Sequence, residues 1–220
     1  MNLKKIKILA VIGIFILSFL SHFAYEIFPN IIFSFIFPVN ESIWEHMKIL
    51  FTSTLLYGII DYLLLKKYNI KHNNFPFQLY FTSLIGIPIY LVIYLPLYNL
   101  IGESPFISIS LLLIVYIITQ IVSYNILKEK ELKILNIITI PVILLSYLGF
   151  IYLTYNPPHT YIFYDITEDK YSINDYIKLE QNIGQNTYIF IYQQHLWIKK
   201  ENTIFSSIFL LLDNFLSYQQ

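Results

Sequence analysis

The stretch Asn40-Glu41-Ser42-Ile43-Trp44-Glu45-His46-Met47-Lys48 sets two carboxylates, an imidazole and an ammonium within eight positions. His22 and Glu26 are four residues apart, on one face of a helix. A third histidine closes the run Asn156-Pro157-Pro158-His159, and Asp165 follows it. Imidazoles beside carboxylates suit two kinds of chemistry. One is a metal site of nitrogen and oxygen ligands, for which zinc is the default ion; its catalytic form keeps one position for water. The other is a metal-free proton relay or general acid–base pair. His22, Glu26, His46 and His159 are the metal-ligand candidates, and Glu41, Glu45 and His46 the catalytic candidates. Cysteine is absent, so thiolate ligands and disulfides are excluded. Trp-Glu-His-Met-Lys is not His-Glu-x-x-His, so a zincin-type protease is not indicated. The Glu-Glu-x-x-x-Arg pattern of intramembrane proteases is not met either, because Ser42 follows Glu41 and the chain has no arginine. No phosphate loop, nucleophile elbow or cofactor fingerprint is present.

Each of these residues also has a plain structural reading. Asn40, two residues after Pro38, is a good helix N-cap, which would put Glu41 in a first turn that favours an anion. Glu41, Glu45, Lys48 and Thr52 share one helical face, with Ser42 and His46 on an adjacent strip. Lys48 lies a turn and a half inside an apolar run, so it must snorkel outward or meet a carboxylate, and Glu45 is three residues away. Trp44 and the tyrosines near segment ends suit a membrane interface. Asp61 reads as an interfacial carboxylate near Lys66 and Lys67, with a buried ion site as the alternative. His72 and His195 read as loop and tail residues.

The elements that must position these groups are membrane helices. Only 13% of the residues are charged, about half the usual soluble share, and the apolar residues come in long runs. Five segments have the length of a span: Ile6 to Tyr25, Ile43 to Leu65, Phe77 to Leu97, Phe106 to Leu127 and Ile134 to Leu153. The sequence therefore predicts an all-α integral membrane bundle of about five helices. Pro88 and Pro96 predict a kink in the third. Lys4, Lys5 and Lys7, then Lys66, Lys67 and Lys71, then Lys128, Lys130 and Lys133 fall on one side of such a bundle. That predicts a cytoplasmic N-terminus and a multi-pass protein of the cell membrane. His22-Phe23-Ala24 is a poor cleavage site, so the first segment reads as an uncleaved anchor. The apolar run from Phe28 to Asn40 is too short to span and reads as a re-entrant or interfacial piece on the exterior side. The expected division is residues 1–155 as the membrane domain, 156–173 as an exterior loop or short strands carrying the Asn-Pro-Pro-His motif, and 174–220 as an atypical tail. Two tail runs stand out, a strand-like one from Asn186 to Ile198 and an apolar one from Thr203 to Ser217.

The blocks Ser21 to Asn30, Phe37 to Phe51 and Tyr155 to Asp165 resemble the signature of an uncharacterised bacterial family of small multi-spanning membrane proteins. The likeness covers roughly residues 1–173, and Asn-Glu-Ser-x-Trp-Glu-His-x-Lys is its specific part. It implies a membrane protein and no assigned activity. It marks His22, Glu26, Glu41, Ser42, Trp44, Glu45, His46, Lys48 and Asn156 to His159 as signature positions. Three functions stay open: a metal-dependent membrane enzyme or metal-binding protein, a transporter with a proton or ion site, and a scaffold whose charges are structural pairs. Zero net charge leaves no basic field for nucleic acid. The lipid bilayer is the expected partner; the sequence names no protein partner.

Overall fold

A computed structural model describes residues 1–102 and 104–175. Residues Met1–Ser172 form one compact unit. The expectations for both tail runs and for His195 fall outside the described residues.

Six α-helices make up this unit: α1 (Leu3–Ile27), α2 (Ile31–Ile36), α3 (Ile43–Lys67), α4 (Phe75–Ile101), α5 (Pro105–Lys128) and α6 (Lys133–Tyr155). All but α2 are long and apolar enough to cross a membrane, so the described residues form a membrane-helix bundle with five candidate spans. At 1.5 Å per residue, even the 23 residues of α6 exceed the roughly 30 Å hydrocarbon core. The ends follow local chemistry. Asn2 caps α1 through Lys5 N, α5 begins on Pro105, and Pro76 lies in the first turn of α4. Helix α4 runs through Pro88 and Pro96 without a break, and α6 through Pro141.

Side chains such as Ile12, Ile16 and Leu20 on α1, and Ile137, Leu144 and Leu148 on α6, are exposed. That outward apolar surface matches a lipid surround. The interior is the more polar side. Its core of Ala10, Ile14, Met47, Leu50, Tyr57, Tyr90, Val115 and Tyr116 is crossed by hydrogen bonds between helices. Ser18 Oγ lies 2.6 Å from Tyr116 Oη, and Ser53 Oγ donates to Ser21 Oγ at 3.0 Å. In hydrocarbon such pairs hold helices that the hydrophobic effect no longer drives together. Close approach needs small residues as well. A Cβ on Gly13 would sit 2.0 Å from the Tyr57 ring, and one on Gly58 would sit 2.5 Å from Leu79.

Asp61 is not the interfacial carboxylate expected beside Lys66 and Lys67. It is buried on α3 and paired with Lys7 of α1, which is buried too. The antiparallel packing of α1 on α3 sets residue 7 opposite residue 61, and a carboxylate at that depth needs a cation.

The Phe28–Asn40 segment is a short helix, α2, between two extended arms. Asn30 Oδ1 accepts from Ile32 N and Phe33 N to start it. It packs on α6, where Ser34 Oγ lies 3.0 Å from Tyr155 Oη. After α6 comes a loop with a 3-10 turn at Tyr161–Phe163 and one antiparallel bridge between Asp165 and Lys170. No strand forms there among the described residues. The α1 C-terminus, α2, the α3 N-terminus and this loop share one end of the bundle, opposite the N-terminus.

Candidate metal centre

The α3 start decides which charges face inward. Ser42 is the N-cap, its Oγ accepting from Glu45 N at 3.3 Å. Asn40 makes an Asx turn one step earlier, its Oδ1 accepting from Ser42 N at 3.0 Å. The helix therefore begins two residues later than the expected Asn40 cap. Glu41 lies before the helix rather than in its first turn, and off the face that Glu45, Lys48 and Thr52 share.

Those three residues point into the bundle and bind α2. Lys48, with no exposed surface, donates to Ser34 O at 2.9 Å and Phe37 O at 3.4 Å. Thr52 Oγ1 donates to Ile36 O at 2.9 Å. These are carbonyls in or just past the last turn of α2, where a helix dipole favours a cation. Lys48 Nζ also meets Glu45 Oε2 at 2.8 Å. Glu45 is fully engaged: Oε2 accepts from Val39 N at 3.0 Å, and Oε1 accepts from Thr154 Oγ1 of α6 at 2.7 Å. One buried pair thus ties α2, α3, α6 and the Pro38 arm together.

Glu41 turns the other way, towards two imidazoles. Its Oε2 lies 3.4 Å from His46 Nε2 and 3.9 Å from His22 Nε2. One ligand atom from each of His22, Glu41 and His46 falls within 4.8 Å of the others. The two rings meet edge to face at 5.1 Å, and His22 stacks on Phe23. The site opens outward, with Glu41's side chain 48% exposed. His46 Nδ1 is 2.8 Å from Ser42 O. A carbonyl only accepts, so Nδ1 carries the hydrogen. In a neutral ring that leaves a lone pair on Nε2, facing an anionic carboxylate. Two acceptors 3.4 Å apart repel unless a cation, proton or metal, sits between them. A backbone carbonyl on the far ring nitrogen is also how metal-ligating histidines are oriented.

Asp165, from the loop after α6, fixes Glu41. It is buried; its Oδ2 accepts from Glu41 N at 3.1 Å, while Oδ1 accepts from Thr167 N and Glu168 N. Trp44 faces inward between Phe150 and the loop's Phe163, rather than outward as an interface anchor.

Of the sequence candidates, the structure brings together His22, His46 and Glu41. Glu26 lies half-buried a turn further along α1 and is outside this group. His159 is outside it as well, its ring stacked on Tyr171 at 4.5 Å. His72 makes a local contact, with Nδ1 2.7 Å from Ile70 O. Sequence reasoning placed Asp165 near the histidines but missed its hold on Glu41, and it missed Thr154 and Ser34 as partners of the buried pair. Lone polar residues in apolar helices carry no mark of what they face.

Residues 1–173 match the family described as Family of unknown function (DUF6512). The chain belongs to it. The match ends at Ile173, one residue past the end of the compact unit at Ser172, so the DUF6512 region covers the helical bundle and its loop. No curated protein and no solved structure matches the chain. Membership in DUF6512 assigns no activity; the membrane-helix bundle and the His/Glu cluster are features of this chain's own structure.

Proposed function

We propose that this membrane protein binds one divalent transition metal, zinc by ligand class, through His22 Nε2, His46 Nε2 and Glu41 Oε2. The observation that carries this is the convergence of one ligand atom from each of three residues within 4.8 Å of one another. Zinc bonds of about 2.0–2.2 Å at tetrahedral angles set ligands about 3.3–3.5 Å apart. The 3.4 Å between His46 and Glu41 meets that already. The 3.9 Å between His22 and Glu41 needs a shift of about half an ångström, and the two histidine nitrogens, within 4.8 Å of each other, must close by up to about 1.4 Å, which partly exposed side chains can supply.

Two histidines and a glutamate leave a fourth position open, as in zinc sites that activate water. This favours a metal-dependent hydrolytic enzyme over a closed structural site. The buried Glu45–Lys48 pair is assigned the supporting role of holding α2 and α3 in place, and Asp165 that of fixing Glu41. The lysine clusters at the opposite end support a cytoplasmic N-terminus in the cell membrane, with the metal site on the exterior face.

Zinc titration of the metal-stripped protein in detergent tests the site. Wild-type protein should take up about one ion per chain, and His22→Ala, His46→Ala and Glu41→Gln should each weaken it at least tenfold while leaving the fold intact. Unchanged affinity in all three variants rejects the site. A wild-type protein that binds no zinc but loses an activity on His46→Ala would favour the metal-free acid–base pair. For orientation, single cysteines near Lys67 and near Glu41 should differ in labelling by an impermeant reagent on intact cells, with only the second reacting.

A further inference from the structure

Three side-chain atoms among the described residues are buried without a hydrogen-bond partner: Trp44 Nε1, Asp61 Oδ1 and Gln78 Nε2. Asp61 and Gln78 line the same small cavity, with Thr54, Tyr57, Thr82 and Gln120. It lies between α1, α3, α4 and α5, towards the end of the bundle that carries the N-terminus. Asp61 is 3% exposed and Gln78 1%. At this depth no bulk solvent reaches either, and a bare polar atom in a membrane interior is costly.

The remaining atoms of both groups have partners. Asp61 Oδ2 accepts from Lys7, and Gln78 Oε1 accepts from Ser123. That leaves an acceptor, Asp61 Oδ1, and a donor, Gln78 Nε2, at one cavity. Thr54 and Thr82 donate to Leu50 O and Gln78 O, each at 2.8 Å, so their oxygens keep lone pairs to offer.

We propose that this cavity binds a single water, which donates to Asp61 Oδ1 and accepts from Gln78 Nε2. Size and charge decide the ligand. The cavity leaves about 10 Å³ for the centre of a water, enough for about one molecule. A cation is disfavoured because Lys7 already neutralises Asp61 and the Gln78 amide presents its N–H side. An anion is disfavoured by Asp61 itself. A neutral molecule with both a donor and an acceptor fits all of these, and the threonine oxygens can take its second hydrogen. The bound water supplies the solvation that the Lys7–Asp61 pair lacks in the bilayer, and it bridges α3 to α4. The inference is independent of the metal site, which lies at the other end of the bundle.

A structure of the wild-type protein at a resolution that shows waters should place one peak about 2.7–3.2 Å from both atoms. Infrared difference spectra of the same protein should show a strongly hydrogen-bonded water stretch that shifts in H₂¹⁸O and is lost in Gln78→Leu. If Gln78→Leu fails to fold, Thr82→Val should shift the same band. An empty cavity, with the Gln78 amide bonded directly to Asp61, overturns the proposal. So does a peak ringed only by oxygen atoms in a protein whose stability depends on sodium, because that is an ion site.

Discussion

Replacing Lys48 by methionine should destabilise the bundle far more than any surface lysine change. The ammonium donates to Ser34 O and Phe37 O and pairs with Glu45, with no exposed surface. Methionine keeps most of the stem volume, so the loss is electrostatic rather than a cavity. Breaking one side of a buried pair costs about 3–5 kcal/mol, since the surviving charge is left uncompensated. Glu45 keeps Val39 N and Thr154 Oγ1, which argues for the lower end, while two freed carbonyls of α2 argue upward. At about 2–4 °C per kcal/mol for a chain of this size, the melting temperature should fall by roughly 6–20 °C. The assay is thermal unfolding in detergent with a chelator present, so that metal binding does not contribute. Lys66→Met, at an exposed position, is the control and should stay within about 0.5 kcal/mol of wild type. Adding Glu45→Gln to Lys48→Met should recover part of the loss by removing the stranded carboxylate. A Lys48→Met protein as stable as the Lys66→Met control, or a double variant with additive losses, would refute the reasoning.

Three further outcomes follow from the same geometry. Glu41→Gln, at an exposed position, should leave the chelated protein's melting temperature within about 2 °C of wild type but remove the stabilisation that added zinc gives. Gly13→Ala drives a methyl into the Tyr57 ring and should cost about 1–3 kcal/mol by thermal unfolding; Gly13→Ala with Tyr57→Leu should recover much of it. Zinc affinity should fall as the pH is lowered, because protons compete with the metal for the imidazole nitrogens and only the neutral ring ligates; a flat titration would exclude histidine ligands.

The five spans were legible because hydropathy over some twenty residues is a property of the sequence alone. The buried Glu45–Lys48 pair was legible too, since a lysine at that depth has few partners and Glu45 is one turn away. The Lys7–Asp61 pair was not, because its members are 54 residues apart and meet only once α1 lies against α3. The candidate site was read in part. His22 and His46 were chosen for their shared membrane depth, and the structure does set them together. Glu41 was a catalytic candidate whose plain structural reading was a helix-starting anion, because Asn40 looked like the cap. The cap is Ser42, and that two-residue shift releases Glu41 towards the histidines. His159 was grouped with them because its loop returns to the same end, but which way a loop side chain turns is set by contacts such as its stack on Tyr171.

The most direct test of the metal site is X-ray absorption at the zinc edge on purified protein loaded with one equivalent of zinc. The account predicts two imidazole nitrogens and oxygen ligands at about 2.0–2.2 Å, with the imidazole signal lost in His22→Ala/His46→Ala. A shell of oxygen alone, or an imidazole signal unchanged in that double variant, would contradict it.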